Sequence, residues 1–392
     1  MFRTTPPRGA EPYLLAMHTH LTPGPISRRQ LGRLALATGA LALSSRALPR
    51  ATALDLDALR STPLSPSAPP ARGAAVSLRF PEGATTAHEP AAVRFLLEDG
   101  STRDVAATPS AHGRDGDFPV CSELIAVPEG AVSVECDPSV SAHLRQPWAE
   151  LVPASSGGSS DAEVAPGLRA VSREQWGADE SLMTWPPEYG APACLTVHHT
   201  FIPSGKELEY QHDWAAAVRG IYRFHASSDN GGRGWGDIGY HLLIDPEGTV
   251  YQGRTTGTPG RAVFDPAANT TATDAGSTGP RVVTAGHVYK ANTGNIGVCL
   301  IGDFTSEPPT RAALDSLVTV LAVLCRELGL DPLGQVRYTN PASSVDLVQP
   351  TISGHHDWEP ISEKPIECPG DRLWRRLPEV RQSVAEILTT EL

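Results

Sequence analysis

The chain has 392 residues, of which 40% are hydrophobic and 19% are charged, and its formal net charge is −12. This composition supports packed cores and argues against global disorder, and the acidic excess argues against a nucleic-acid-binding protein. The length predicts two domains or more, and no apolar run reaches the roughly 18 residues that a membrane span requires.

The first 53 residues have the pattern of an export signal. Arg28 and Arg29 are adjacent, a weakly apolar stretch follows over 34–43, and the small residues 51–53 offer a cleavage site. We therefore predict that residues 1–53 are a twin-arginine signal peptide and that the mature protein is secreted or lies at the cell wall. The alternative is a short apolar helix that carries two arginines by chance.

Composition divides the remaining chain into four parts. Residues 54–75 are rich in Pro, Ser and Ala and are predicted to be a disordered leader. Residues 76–152 contain short alternating runs separated by turns, which predicts a small all-β domain whose role the sequence does not indicate. Residues 153–169 are rich in Gly and Ser and predict a flexible linker, and residues 170–392 form the last domain.

Strand and helix patterns alternate in the last domain. "ACLTVHHT" and "NIGVCLIGDF" are typical of buried strands, and "GYHLLIDPEGTVYQGR" predicts a hairpin with its turn at 246–248. "DWAAAVRGIYRFHA" has helical spacing, and a long helix is predicted to begin at Thr310 and to end near Gly329. This alternation predicts an α/β domain with a central sheet flanked by helices.

Two histidine pairs and one cysteine suggest a metal site. His198 and His199 end a predicted core strand, His355 and His356 follow a second one, and Cys368 lies beyond. Neighbouring strand side chains face opposite ways, so at most one histidine of each pair can face a given site. Two imidazoles and a thiolate would bind Zn²⁺ with the fourth position open, which is the catalytic pattern. Buried histidines bonded to backbone, or a disulfide at Cys368, are the alternatives.

Five sequence blocks carry a resemblance to a known family. They are "VSREQWGAD", "LTVHHT", "WGDIGYHLLIDPEGTVYQGR", "AGHVYKANTGNIGVCLIGDF" and "GHHDWEPISEKPIECPGD". Their order resembles that in peptidoglycan recognition proteins and phage-lysozyme-type N-acetylmuramoyl-L-alanine amidases, over roughly residues 170–392. The resemblance implies a mixed sheet flanked by helices, and zinc-dependent cleavage between muramic acid and L-alanine in bacterial peptidoglycan. A peptidoglycan-binding protein without catalysis is the alternative.

The resemblance also implies roles for particular residues. The family's zinc ligands correspond to His198, His355 and Cys368, and its catalytic tyrosine corresponds to Tyr240. A tyrosine hydroxyl there could bond the attacking water or the developing oxyanion. Asn292 matches a substrate-contacting asparagine of the family.

Four further residues lie in or near these blocks. His287 lies in a turn that matches the family, and His241 is expected to flank the substrate groove. For Asn292 and His287 the alternative is an ordinary role in a turn. His225 and Trp235 are assigned to packing.

The chain departs from the family pattern in two ways. Twelve residues separate His355 from Cys368, where the family usually has seven, although a loop insertion costs little free energy. Ile366 stands where the family has a charged or hydroxyl helper, two residues before the cysteine. We hypothesise that Lys364 replaces this helper as a catalytic residue; the alternative is a solvated loop lysine.

The other cysteines are expected to be structural. Cys121 and Cys136 could form a disulfide within the β domain, whereas Cys194, Cys299 and Cys325 lie on predicted core elements and are expected to be buried thiols. Nothing in the sequence requires more than a monomer.

Overall fold

A computed structural model describes twelve stretches of the chain, all within one compact unit, Pro49–Leu392. The described residues are 54–55, 75–81, 90–116, 121–128, 130–136, 140–145, 160–200, 213–229, 232–266, 280–340, 342–362 and 365–390. The predicted signal peptide and Lys364 lie outside them. Within these stretches, no helix combines the length and the apolar character needed to cross a membrane.

The N-terminal region is built from two antiparallel sheets. Its strands are β1 (Leu54–Asp55), β2 (Ala75–Arg79), β3 (Ala91–Leu97), β4 (Thr102–Ala107), β5 (Ile125–Ala126), β6 (Ala131–Cys136) and β7 (Ser141–Arg145). The sheets have the orders β1-β6-β3-β4 and β5-β2-β7. Val76 and Leu78 of one sheet share a core with Val93, Phe95 and Val134 of the other. The alternation in β3 places alternate residues in this core, as period-2 patterning requires.

Part of the predicted linker is a β-hairpin. Strands β8 (Ala162–Ala165) and β9 (Leu168–Ala170) pair around a turn in which Gly167 has a φ of 84°. The backbone of Glu163 bonds both Gly260 and Ala262, and the apolar side chains of the hairpin enter the core of the last domain. Residues 162–170, at the end of the predicted linker, are thus a hairpin, because an otherwise weak two-stranded element is completed by a surface distant in sequence.

The last domain contains the remaining elements. They are α1 (Arg173–Trp176), β10 (Tyr189–Gly190), β11 (Cys194–His199), α2 (Trp214–Ala226), β12 (Leu242–Ile244), β13 (Val250–Gln252), β14 (Val282–Val283), β15 (Asn295–Leu300), α3 (Arg311–Leu328), β16 (Gln335–Thr339), β17 (Asp346–Pro350), β18 (Ile352–Gly354), α4 (Glu359–Ser362), α5 (Asp371–Trp374) and α6 (Leu377–Thr390). Short 3₁₀ helices lie at Glu180–Leu182 and His355–Trp358.

A five-stranded mixed sheet forms the centre of this domain. Its order is β13-β12-β15-β11-β18, with β13 antiparallel at one edge and the other strands parallel. Helices α3 and α6 pack on the face that carries Leu195 and Val197, and α2 packs on the face that carries Leu243 and Cys299. Every residue of β11 is buried, as expected for a parallel strand covered on both faces. The predicted fold class is confirmed.

The predicted boundaries of two elements also agree with the structure. The Thr310 hydroxyl accepts a hydrogen bond from the Ala313 N–H and caps α3, and Gly329 ends the helix in the left-handed conformation. Strands β12 and β13 are joined by a turn in which the Gly248 N–H bonds the Asp245 carbonyl. These ends are set by local chemistry.

None of the six cysteines, all of them in the described stretches, forms a disulfide, so the suggested bridge between Cys121 and Cys136 was wrong. Each of these two sulfurs instead lies near a backbone carbonyl oxygen. Cys194, Cys299 and Cys325 are buried as expected. Burial raises the pKa of Cys299 well above its usual value and that of Cys325 to about 12.

Candidate metal centre

Three of the predicted ligands meet at one edge of the central sheet. Strands β11 and β18 run parallel, so His198 at the end of β11 and His355 just beyond β18 arrive side by side. Their ring centroids are 4.8 Å apart. Cys368 brings its Sγ to 3.5 Å from His198 Nδ1. A fourth side chain, His112, completes a buried group whose ligand atoms all lie within 4.8 Å of one another.

A chain of hydrogen bonds fixes the tautomer of His198. His287 Nε2 lies 2.9 Å from the Asn295 carbonyl oxygen and must donate to it, which leaves His287 Nδ1 as an acceptor. His198 Nε2, 2.9 Å from that Nδ1, is then the donor. The lone pair of His198 Nδ1 is therefore directed to the cluster, which is how an outer hydrogen bond orients a metal-binding imidazole.

His355 is a buried ligand candidate without a competing partner, whereas the Cys368 sulfur contacts the backbone of His199. Neither ring nitrogen of His355 has a hydrogen-bond partner among the described residues, although both are buried. Burial, with nearby His112, lowers the pKa of His355 well below its usual value, so the ring is neutral and has a free lone pair. The Cys368 Sγ accepts the backbone N–H of His199 at 3.4 Å. Burial raises the pKa of Cys368 well above its usual value, so a nearby cation is needed to favour the thiolate.

His112 comes from the N-terminal β region and was not predicted. Its Nδ1 lies 2.8 Å from the Glu123 carboxylate and donates to it, and its Nε2 belongs to the side of the ring that faces the cluster. That Nε2 is buried and has no hydrogen-bond partner within the described part of the chain. Arg233 also bonds Glu123, at 2.9 Å. Burial alone would raise the pKa of Glu123, but His112 and Arg233 hold it well below its usual value.

Tyr240 lies beside the cluster. Its ring centroid is 5.3 Å from that of His198 and 6.1 Å from that of His112. Burial raises the pKa of Tyr240 well above its usual value, so the hydroxyl keeps its proton and remains a donor. The His225 Nδ1 accepts the Gly239 N–H at 3.1 Å, which holds the backbone that presents Tyr240.

The donor set fits a Zn²⁺ ion. Imidazole nitrogens and a thiolate suit this metal better than Mg²⁺ or Ca²⁺, which prefer oxygen. The buried, unpartnered nitrogens of His112 and His355 would otherwise each carry a desolvation penalty. His198 contributes a third imidazole with a fixed tautomer. His198, His355, Cys368 and His112 could together hold one ion.

Comparison with known proteins finds one matching family. Residues 188–371 match the family Amidase_2, described as N-acetylmuramoyl-L-alanine amidase. The chain contains an amidase domain of this family.

Two relatives and one solved structure are similar to parts of this chain. Peptidoglycan-recognition protein LB of Drosophila melanogaster is 26% identical over 211 residues, which are 53% of this chain and 67% of that protein. The N-acetylmuramoyl-L-alanine amidase of Homo sapiens is 29% identical over 136 residues, 35% of this chain and 18% of that protein. The matched part thus spans less than a fifth of the human relative. Among solved structures, wild-type Drosophila PGRP-LB is 25% identical, with a TM-score of 0.34 over 53% of this chain and 90% of that one.

The three residues predicted to bind substrate are all buried within the amidase domain. Asn292 is buried, and its side chain bonds backbone N–H groups of the domain as well as the N-terminal region. His287 is enclosed behind His198, where it orients that ring. His241 is also enclosed: its Nε2 donates to the Val283 carbonyl at 2.6 Å and its Nδ1 accepts the Gly297 N–H at 2.9 Å.

The Ile366 side chain is packed in a small apolar cluster, so it offers no polar group to the amidase site. Lys364 is outside the described residues. His225 and Trp235 stack with their ring centroids 4.7 Å apart, as a packing role requires.

One weak indication of the missed residues is present in the sequence. "SAHGRDGD", residues 110–117, places a histidine and three charged residues in one turn-rich segment of an otherwise alternating β pattern. No spacing rule connects this segment with His198 or Cys368. His112 and Glu123 come together with the amidase domain only when the chain has folded.

Proposed function

We propose that this chain is a secreted, zinc-dependent N-acetylmuramoyl-L-alanine amidase that acts on bacterial peptidoglycan. The family match over residues 188–371 and the names of the relatives support the reaction. The observation that carries the proposal is the buried cluster of three imidazoles and one thiol at the sheet edge, whose ligand atoms all lie within 4.8 Å of one another.

His198, His355 and Cys368 are the ligands in this proposal. Zn²⁺ held by them would polarise the scissile carbonyl and lower the pKa of a water molecule that attacks it. His287 keeps His198 in the required tautomer through the bond of 2.9 Å between their ring nitrogens. The backbone N–H of His199 stabilises the negative charge of the Cys368 thiolate.

Tyr240 is the proposed hydrogen-bond donor. Its hydroxyl remains protonated and lies in a buried environment, where a hydrogen bond to developing negative charge is stronger than in water. We assign it to the carbonyl oxygen of the scissile amide as that oxygen gains charge. Asn292 is assigned to the substrate, since its amide can bond a peptide group.

Lys364 is proposed as a second group near the scissile carbonyl. The buried apolar surroundings of Ile366 leave that position without a polar helper, and Lys364 lies in the inserted residues between His355 and Cys368. Lys364→Ala should reduce hydrolysis while zinc stays bound. Full hydrolysis by this variant would end the assignment.

The function is tested with purified residues 54–392 and purified peptidoglycan. Zinc content is measured by elemental analysis, and stem peptides with a free N-terminal L-alanine are detected by mass spectrometry. We expect one zinc per chain and release that a chelator abolishes. Tyr240→Phe should keep zinc and lose most of the release, whereas His355→Ala should lose both.

A peptidoglycan-recognition protein without catalysis is the second candidate. The presence of His112 as a fourth possible ligand favours it, since four protein ligands are typical of structural rather than catalytic zinc sites. Bound zinc without peptide release, in the wild type and in a variant that lacks His112, would establish this candidate.

A further inference from the structure

The loop of the N-terminal β region, residues 110–116, enters the amidase site; we name it the plug. We propose that the plug keeps the enzyme latent, with His112 as a fourth zinc ligand and Asp115 on the substrate-binding Asn292. This inference rests on the proposed function of the site. It assigns to the N-terminal region a role that its composition did not indicate.

The first argument is the environment of His112. Its Nε2 is buried without a partner and belongs to the group of ligand atoms that lie within 4.8 Å of one another. Its ring centroid is 4.3 Å from that of His355. Glu123 accepts from Nδ1 at 2.8 Å, so carboxylate, imidazole and metal position form the arrangement that orients metal-binding histidines. A histidine that only filled space would not need its second nitrogen aimed at three other ligands.

The second argument is the contact between Asp115 and Asn292. The Asn292 side-chain amide donates to Asp115 Oδ1 and to the Gly113 carbonyl, both at 2.7 Å. Asn340 donates to the other carboxylate oxygen of Asp115, also at 2.7 Å. The donors of Asn292 are therefore already used by the plug. A peptide stem could bond Asn292 only after Asp115 and Gly113 had left.

The plug is held along its length. The Ala111 carbonyl accepts the backbone N–H of Tyr289 at 3.1 Å. Arg114 lies over the Trp185 ring, 4.3 Å from its centroid, and donates to the Trp235 carbonyl at 3.1 Å. Ala111 also packs against the apolar cluster that contains Ile366, and none of these contacts is covalent. Such a segment can be displaced by a ligand that offers equivalent bonds.

The base of the plug is tied to the β region. The Ser110 N–H donates to the Cys121 carbonyl at 2.8 Å, and the Ser122 N–H donates to the Leu78 carbonyl at 2.9 Å. His112 and Glu123 thus each lie within two residues of the backbone pair formed by Ser110 and Cys121. With this loop in place, the cluster has four protein ligands and no position for a water molecule. The closed form is therefore latent, and withdrawal of the plug opens the site.

The test uses residues 54–392 loaded with Co²⁺ in place of Zn²⁺, with azide as a small exogenous ligand. A closed set of four protein ligands excludes azide, so the visible spectrum of the wild type should not change when azide is added. His112→Ala should retain one metal ion, bind it at least about tenfold more weakly, and show a spectral change with azide. His143→Ala, in β7 of the same region and outside the cluster, is the matched control and should behave as the wild type.

A second variant leaves all four ligands in place. Asp115→Ala removes the contact with Asn292 and should give an azide response between those of the wild type and His112→Ala. If the closed form is about nine-tenths of the molecules, either variant should release peptide from peptidoglycan up to roughly tenfold faster than the wild type. Asp99→Ala, in an exposed turn of the β region, should change neither reading.

Two results would overturn the plug. The first is a wild-type spectrum that responds to azide as strongly as His112→Ala does. The second is His112→Ala that keeps its metal and loses peptide release, which would make His112 a catalytic group. If neither the wild type nor any variant releases peptide, but azide still changes the spectrum of His112→Ala and not that of the wild type, the plug is supported and the amidase proposal fails. If the wild type is fully active and its spectrum responds to azide, the amidase proposal is supported and the plug fails.

Discussion

The four side chains of the cluster are held in two different ways. His198 and His355 lie at the ends of adjacent parallel strands, and Cys368, in a turn, accepts the backbone N–H of His199 in the fully buried strand β11; these three form the sheet side. His112 lies in a loop whose contacts with the amidase domain are hydrogen bonds, ring contacts and the packing of the small side chain of Ala111. The first group can move only if the central sheet is disrupted, whereas the second can leave while the sheet stays intact.

This difference separates the permanent part of the site from the removable part. A rigid scaffold positions catalytic ligands with the accuracy that chemistry requires, and loops on it can change state at low cost. Changes on the sheet side should therefore affect folding or metal binding strongly. Changes on the loop side should alter the affinity for the metal and leave the fold intact.

The largest effect is expected from the buried ion network beside the sheet. Asp237 is fully buried and bonds Arg173 at 2.9 Å and Arg254 at 2.8 Å. Asp237→Asn leaves two buried guanidinium groups without that charge, so we expect a loss of about 3–5 kcal/mol in the free energy of unfolding. Urea unfolding measures it. Asp346→Asn, in an exposed pair with Arg337, is the control and should change the free energy of unfolding little. Equal losses in the two variants would show that the buried network contributes no more to stability than the exposed pair.

A sheet-side ligand should matter more to zinc than the loop-side ligand does. Cys368→Ser replaces the thiol with a hydroxyl that does not ionise, and we expect zinc affinity to fall roughly a hundredfold or more. Competition with a chromogenic chelator measures the dissociation constant. Cys194→Ser changes a buried thiol at the far end of β11 and should keep the wild-type value. If His112→Ala lost more affinity than Cys368→Ser, the assignment of permanent and removable ligands would be reversed.

The sequence predicted the sheet side far better than the loop side. Thr310, Gly329 and the turn at 246–248 act through neighbours a few residues away, so a local pattern reveals them. The blocks around His198, Tyr240 and Cys368 could be recognised because the resemblance places them in one fold. The hairpin at β8 and β9 and the position of His112 depend on surfaces distant in sequence, and no local pattern encodes such contacts.

Acid should weaken the sheet through His241. Both of its nitrogens are bonded to backbone groups, and burial lowers its pKa to about 4 from an unfolded value of about 6.5. The unfolded chain therefore takes up this proton first as the pH falls, and stability is lost between pH 6.5 and pH 4 by up to about 3 kcal/mol. Urea unfolding of chelator-treated protein at pH 7.5 and pH 4.5 measures the loss. His241→Gln should show a smaller pH dependence; an unchanged one would mean that other groups cause it.

The smallest effect is expected from Glu123, on the loop side. Glu123→Gln keeps an oxygen for His112 but removes the charge that favours the required tautomer and pairs with Arg233. Outer partners of this kind typically contribute 10–100-fold to metal affinity, so we expect the zinc dissociation constant to rise by roughly that factor with little change in unfolding. Glu163→Gln, in a more exposed pair with Arg261, is the matched control. An unchanged zinc affinity in Glu123→Gln would show that His112 does not bind the metal in solution. In that case the loop would be only a neighbour of a three-ligand site, and the sheet side alone would make the metal centre.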